Sequence, residues 1–485
     1  MDNSVLLKIK KIVGIEHYFD SPEDRISYSY DGTPMLQQLP EAVVFPQNIE
    51  QISGLLYLAN TEKFAIIPRG AGTGLSGGSI PVENSIVVVM TKWNKILEID
   101  TANLTALVEP GLVTGLLQKE VEKLGLFYPP DPGSLNVCTI GGNVAENAGG
   151  LRGLKYGVTK NYVLGVEMIL PTGEFLKIGG KSVKDVAGYN LKDIIIGSEG
   201  TLGIFSKILL KLIPFPTRSK TISVNFKKII DSGNSVTDII SSRITPSMVE
   251  FLDNITMNCV EDYTKIGLDR NAEAMLLIEV DGRGSSVDED AETIVSILKK
   301  NNASQIRIAE NTVEALSLKT ARRSAFSALA RRKPTTILED ATVPRSELPV
   351  MIEKVREAAS NFNVAIGNFG HAGDGNLHPT CLTDERDSSE ITRAHKAFGF
   401  IFNEAIKLGG TITGEHGTGL AKKDFLESAV GKEGIEFMKK IKMVVDPNNV
   451  LNPGKILTMK PRAQRKVSPF EHIEDHLQKD EHILS

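Results

Sequence analysis

At 485 residues, with 41% hydrophobic and 24% charged residues, the chain has room for two substantial cores and the balance of a soluble globular protein. A formal net charge of −5 and the lack of a basic run argue against a nucleic-acid partner. Three widely spaced cysteines, Cys138, Cys259 and Cys381, fit neither a disulfide framework nor a CxxC metal or iron–sulfur site, and are expected to be buried thiols in a reducing compartment.

In chain order, Val5, Leu6, Ile9, Ile12 and Val13 trace one face of a short helix, and the interspersed lysines exclude a signal peptide. Asn48 caps a helix over 48–60 that turns Ile52, Leu55, Leu56 and Ala59 inward. Strands follow at 64–67, 85–90, 96–99 and 105–109, then a helix with Val113, Leu117, Val121 and Leu124 on one face. The longest apolar runs are strand-sized, far short of the ~20 residues of a spanning helix. The cytoplasm is therefore the expected location, with peripheral attachment to a membrane left open.

From Thr221 the texture changes. Strands at 221–226, 248–252, 274–280 and 305–308 alternate with helices at 229–241 and 288–299, the order of a split βαβ layer with helices on one face. The segment 213–216 is expected to be a hinge. The division is therefore 1–215, then 216–459 with its last segment returning to the first domain, then a loosely docked charged tail at 460–485.

The richest motif of the first half is Pro68-Arg69-Gly70-Ala71-Gly72-Thr73-Gly74-Leu75-Ser76-Gly77-Gly78. It contains GxGxxG, but Ser79, Ile80 and Pro81 follow instead of a helix, so the Rossmann reading fails on context. What remains is a glycine-dense turn, either merely structural or a nest of backbone N–H groups for a pyrophosphate. Two more dense loops accompany it, Asp131–Gly150 and Gly188–Ile204. Together the three resemble the FAD-binding domain of the vanillyl-alcohol oxidase (PCMH) type.

That resemblance implies FAD contacts at Arg69, Gly70, Gly72, Thr73, Gly74 and Ser76 in the first loop. In the second it implies Asp131, Pro132, Ser134, Gly141, Asn143, Asn147 and Gly150, just beyond it Gly157, and in the third Glu199 and Ile204. Some relatives link the flavin covalently through a histidine where this chain has Thr73, so FAD is expected to be non-covalent.

In the second half, three of eight histidines fall in two glycine-rich motifs. The first is Gly370-His371-Ala372-Gly373-Asp374-Gly375-Asn376-Leu377-His378. If Asp374-Gly375 is a two-residue turn, His371 faces His378 at a spacing that suits one cation; the alternative is two polar histidines on a hairpin. The second is Gly414-Glu415-His416-Gly417-Thr418-Gly419, where Glu415 would complete a two-His, one-carboxylate site and His416, on the opposite side of an extended chain, suits a general base. An exposed glycine turn is the alternative here.

With Asn452-Pro453-Gly454-Lys455, these motifs resemble the C-terminal domain of FAD-linked D-lactate dehydrogenases, glycolate oxidase D subunits and D-2-hydroxyglutarate dehydrogenases. The resemblance implies an α+β fold: a PCMH-type FAD domain, then an α+β substrate or cap domain with a ferredoxin-like sheet. It also implies a divalent metal, Zn or Mn, on His371, His378 and Glu415, His416 as base, and Asn452 near the cofactor. A carboxylate-gripping arginine corresponds to Arg322 in Leu318-Lys319-Thr320-Ala321-Arg322, with Arg323 as its rival and a solvated basic helix end as the plain alternative.

The implied activity is oxidation of a small D-2-hydroxy acid, D-lactate or glycolate, by hydride transfer to the flavin. Electrons would then leave to a quinone, a cytochrome, an electron-transfer flavoprotein or an iron–sulfur partner subunit; a homodimer is left open. Competing readings are a D-2-hydroxyglutarate dehydrogenase, an alcohol or sugar oxidase, and a non-catalytic flavin subunit of a glycolate oxidase complex.

Overall fold

The computed structural model describes residues 1–459, so the charged tail expected at 460–485 lies outside the described residues. The first helix is Asn3–Val13, with Val5, Ile9 and Val13 buried and Asp2 capping its N-terminus. The second is Ile49–Glu62, capped by Asn48 and burying the predicted Ile52, Leu55, Leu56 and Ala59. These side chains cover parallel strands Ala42–Val44, Ser85–Val89 and Ala65–Arg69. Parallel strands buried on both faces read as unbroken apolar runs, as Ile86 to Val89 do.

A second, antiparallel sheet joins Ile96–Asp100, Thr105–Val108, Ile204–Lys211, Val163–Ile169 and Phe175–Gly179, in that spatial order. The helix beside it is only Thr114–Glu122. Leu117 and Val121 face the core, but Leu124 lies beyond the helix end and is exposed, because Gly125 turns the chain there at φ 69°. The expected hinge is also pinned. Ile213–Pro214 pairs with Leu126–Phe127, and the Phe127 and Phe215 rings pack 5.4 Å apart.

The second half is built on one large antiparallel sheet. Arg218–Phe226, Ile229–Ser241, Met248–Asp253, Ala274–Gly282, Ser286–Lys300 and Ala303–Ile308 form the split βαβ layer. Ala365–His371, Asn376–Thr383 and Thr335–Leu338 extend it. Helices Leu348–Asn361 and Ser388–Lys407 join the βαβ helices on one face, around Val249, Phe251, Ile366 and Leu377.

The other face is not bare, contrary to the one-sided expectation. Asn254–Thr264 and Ala325–Leu329 cover part of it, over Leu252, Met275, Phe369 and Leu382. Side chains alternate between faces along a strand, so Glu250, Phe369, His371 and His378 share this second face with Leu252. It looks onto the glycine loops of the first half.

Candidate active site

A cavity of about 520 Å³ lies where the glycine loops meet that sheet face. One end is backbone. The predicted Arg69, Gly70, Gly72, Thr73 and Gly74 line it from the first loop; Pro132, Ser134, Gly141 and Asn143 from the second; Glu199 and Ile204 from the third. No helix follows the first loop; Ser79 to Asn84 lead into the strand Ser85–Val89, as context required. Among the described residues, the N–H groups of Ala71, Gly72, Thr73 and Gly74 donate to no protein acceptor. Unpaired N–H groups facing one concavity suit an anion such as a pyrophosphate. Gly72 is in left-handed backbone at φ 72°, and a Cβ there would collide with the Arg69 guanidinium.

Six expected cofactor residues stand off the cavity wall. Ser76 is buried, its carbonyl taken by the N–H groups of Leu420 and Ala421. Asn147 closes the helix Ile140–Glu146 in left-handed backbone, and its side chain accepts from Lys160. Gly150 presses on the Asp131 carbonyl, and Gly157 ends the turn Gly153–Tyr156. Asn452 donates from Nδ2 to the carbonyls of Gly78 and Glu199, so it braces two cavity loops from behind. Asp131 is ion-paired to Arg323 at 2.6 Å and Arg152 at 3.5 Å. Burial would raise its pKa, and the two guanidinium groups outweigh that and lower it.

The other end of the cavity is ionisable. The hairpin differs from the sequence-based expectation: Ala372–Asp374 forms one 3₁₀ turn before Gly375, so His371 pairs with Asn376, and His378 pairs with Phe369. The register moves by two, which preserves the face, so the histidines are diagonal neighbours with rings 5.0 Å apart. Glu415 Oε1 is 2.9 Å from His371 Nε2 and 3.2 Å from His378 Nε2. The three residues offer ligand atoms all within 4.8 Å of one another, a donor set that suits a divalent metal.

Glu415 and His416 do not diverge as an extended chain would. The N–H groups of Gly414, Glu415 and His416 wrap around Asp340 Oδ2 at 2.6, 2.9 and 3.4 Å, and both side chains line the cavity. The His416 ring stacks on His378 at 4.9 Å. Asp340 is itself fully buried and ion-paired to the buried Lys422.

Electrostatics separate the three histidines. Burial lowers the His371 pKa, but the carboxylates of Glu250 and Glu415 outweigh it and hold the group well above its ordinary value. His378 is lowered by burial. Burial takes His416 down to about 4, so at neutral pH its ring is uncharged and able to accept a proton.

Arg322 is buried and lines the cavity. Its guanidinium stacks 4.8 Å over Phe369 and meets Glu250 at 2.6 Å, with Nε unpartnered. Arg323 also reaches the wall, but its NH2 is held by Asp131. Lys319, three residues before Arg322, pairs with Glu279 at 2.5 Å.

Sequence reasoning missed Glu250, Asp340, Lys422 and Glu146. Glu250 is fully buried and joins Arg322 to His371 Nδ1, at 2.8 Å from the latter. A lone carboxylate inside the apolar run Met248 to Leu252 was its one signal.

Residues 40–179 match the family described as FAD binding domain, and residues 215–456 match FAD linked oxidases, C-terminal domain. The chain is 50% identical to glycolate oxidase subunit GlcD of Bacillus subtilis (strain 168), over 94% of this chain and 97% of that one. It is 32% identical to a D-lactate dehydrogenase of Anaerostipes hadrus, over 86% and 89% of the two chains. Among solved structures, p-cresol methylhydroxylase superposes with a TM-score of 0.77 at 18% identity, covering 94% and 96%. At that identity the likeness is one of fold, and it supports the α+β PCMH-type architecture. With relatives of this identity spanning nearly its whole length, the chain belongs to the FAD-linked oxidase family and is an FAD-dependent oxidoreductase.

Proposed function

We propose that the protein oxidises a small D-2-hydroxy acid, glycolate in the first place and D-lactate next, to the 2-keto acid. The observation that supports this most is the convergence of Arg322, His416 and the His371–His378–Glu415 trio on one end of the FAD cavity. A simple alcohol needs no arginine for a carboxylate, and a scaffold subunit needs none of the five.

FAD, held non-covalently because Thr73 cannot form the histidyl link, supplies the hydride acceptor, and a divalent metal such as Zn or Mn supplies charge stabilisation of the developing alkoxide. The chain does the rest. Arg322 meets the substrate carboxylate with parallel N–H bonds, and its rigid fork fixes the Cα hydrogen relative to the flavin. His416 accepts the hydroxyl proton, since its ring is neutral at working pH. His371, His378 and Glu415 would hold the metal, and Glu250 fixes the His371 tautomer by accepting its Nδ1–H. The N–H groups of residues 71–74 would hold the FAD phosphates.

Electrons leave the chain to a partner subunit or another acceptor, consistent with the subunit naming of the Bacillus subtilis relative. No helix among the described residues is long and apolar enough to cross a membrane. Anaerobic flavin bleaching with glycolate, D-lactate, L-lactate and D-2-hydroxyglutarate tests the assignment. Bleaching by uncharged alcohols alone would overturn it.

A further inference from the structure

Two carboxyl groups on the cavity wall take no part in the chemistry above. Glu199, at φ 51°, is engaged: Oε1 accepts from Thr418 N–H at 2.7 Å and Oε2 from Gly419 N–H at 2.6 Å. Glu146, the last residue of the helix Ile140–Glu146, finds no such donors among the described residues. Its Oε2 is buried without a hydrogen-bond partner, while the side chain as a whole lines the FAD cavity.

The slot around Glu146 is kept open by glycine. A Cβ on Gly417 would lie 2.4 Å from Glu146 Oε2 and 3.1 Å from Glu199 Oε1, and a Cβ on Gly78 would lie 2.9 Å from Glu146 Oε1. So two carboxyl groups converge on one glycine, and only one of them has donors.

The charges facing Glu146 are negative, from Glu199 and Asp31; the cations Lys422 and Lys455 act on Glu199. Burial first, then those two carboxylates, raises the Glu146 pKa well above its ordinary value. Two close buried carboxyls do not both ionise at neutral pH. A protonated carboxyl is a hydrogen-bond donor, and FAD offers acceptors along its whole length.

We propose that Glu146 is a positioning residue for the cofactor: it stands as a neutral carboxylic acid that donates a hydrogen bond to bound FAD. Glu199 remains tied to the 418–419 backbone. The inference rests on FAD binding alone, so a wrong substrate assignment leaves it intact.

The test measures FAD dissociation from holoenzyme by flavin fluorescence on dilution, at neutral and alkaline pH, for wild type, Glu146→Gln and Glu146→Leu. The amide of Gln still donates, so its affinity stays within about threefold of wild type; Leu loses the donor and about tenfold in affinity. Wild-type affinity falls on the alkaline side as Glu146 ionises, and Gln removes the Glu146 part of that fall. Lys455, brought down to about 8 by burial, and Glu199, pushed up to about 7 by burial, titrate in both proteins, so the difference between the two profiles is what reports Glu146. A Gln variant as weak as Leu, or a Leu variant as tight as wild type, overturns the proposal. If Leu fails to fold, the pH profiles decide: an alkaline fall of the same size in wild type and Gln overturns it.

Discussion

Glu250→Gln is the most discriminating substitution at the metal end, because it changes charge and almost nothing else. Glu250 is fully buried; His371 Nδ1 lies 2.8 Å from its Oε1 and 3.1 Å from its Oε2, and Oε2 is also ion-paired to Arg322 at 2.6 Å. Glutamine keeps the volume but has a single acceptor oxygen, so its NH2 must face one of the two donors. One charge-assisted hydrogen bond is lost, worth about 1.5–3 kcal/mol. Removing Glu250 also takes away one of the carboxylates that keep a proton on metal-free His371, which alone would help a metal compete. The first effect wins. Both the protonated and the metal-bound ring keep Nδ1–H on Glu250, but a divalent ion places more positive charge beside it than a proton does. Metal affinity should therefore fall by about one to two powers of ten. Titration of metal into chelator-treated enzyme, read by elemental analysis, measures it. Unchanged affinity in a folded Glu250→Gln protein would refute the claim that Glu250 orients a ligand.

Arg322→Lys should raise KM for hydroxy acids by about tenfold or more, because a point charge cannot reproduce the two-pronged contact. Arg323→Lys is the control; if it carries the defect and Arg322→Lys does not, the two roles are exchanged. FAD should leave with the supernatant after acid or heat denaturation, and flavin retained by the precipitate would show a covalent link. Alanine at His371, His378 or Glu415 should lower bound metal and activity together, whereas His416→Ala should keep metal and FAD and slow flavin reduction ~10²–10⁴-fold. Metal loss in the His416 variant, or full occupancy in the His378 variant, would mean the ligands are misassigned.

What could be read from the sequence was chemistry confined to short stretches. Three glycine loops imply a phosphate cradle because unpaired N–H groups need a bare backbone, and Gly70 to Gly74 line the cavity. The His371 hairpin was legible in kind but not in register. Asp-Gly signals a two-residue turn, yet the chain closes a 3₁₀ turn first, and the slip of two leaves both histidines on the same face. Glu415 and His416 share a side because Asp340, 75 residues away from Glu415 in sequence, gathers their N–H groups. Partners such as Glu250 for His371, or Lys422 for Asp340, are chosen by sheet order and chain crossing. No local pattern encodes that choice.

The adjacent arginines show how the two halves of the chain make one site. The helix Thr312–Arg323 ends with two guanidinium groups that serve opposite directions. Arg323 crosses to Asp131 in the second glycine loop, while Arg322 turns to Glu250 on the sheet. Both acceptors are almost completely buried, so each pair resists the screening that weakens a surface ion pair. Arg152 adds a second cation to Asp131 from the first half. The helix end is thus tied to the second glycine loop by one residue and, through Glu250, to His371 by the next. Any shift of the glycine loop relative to the sheet would strain both contacts. These two ion pairs, with the hinge-like segment at 213–216 paired into a strand, fix the glycine loop against the sheet.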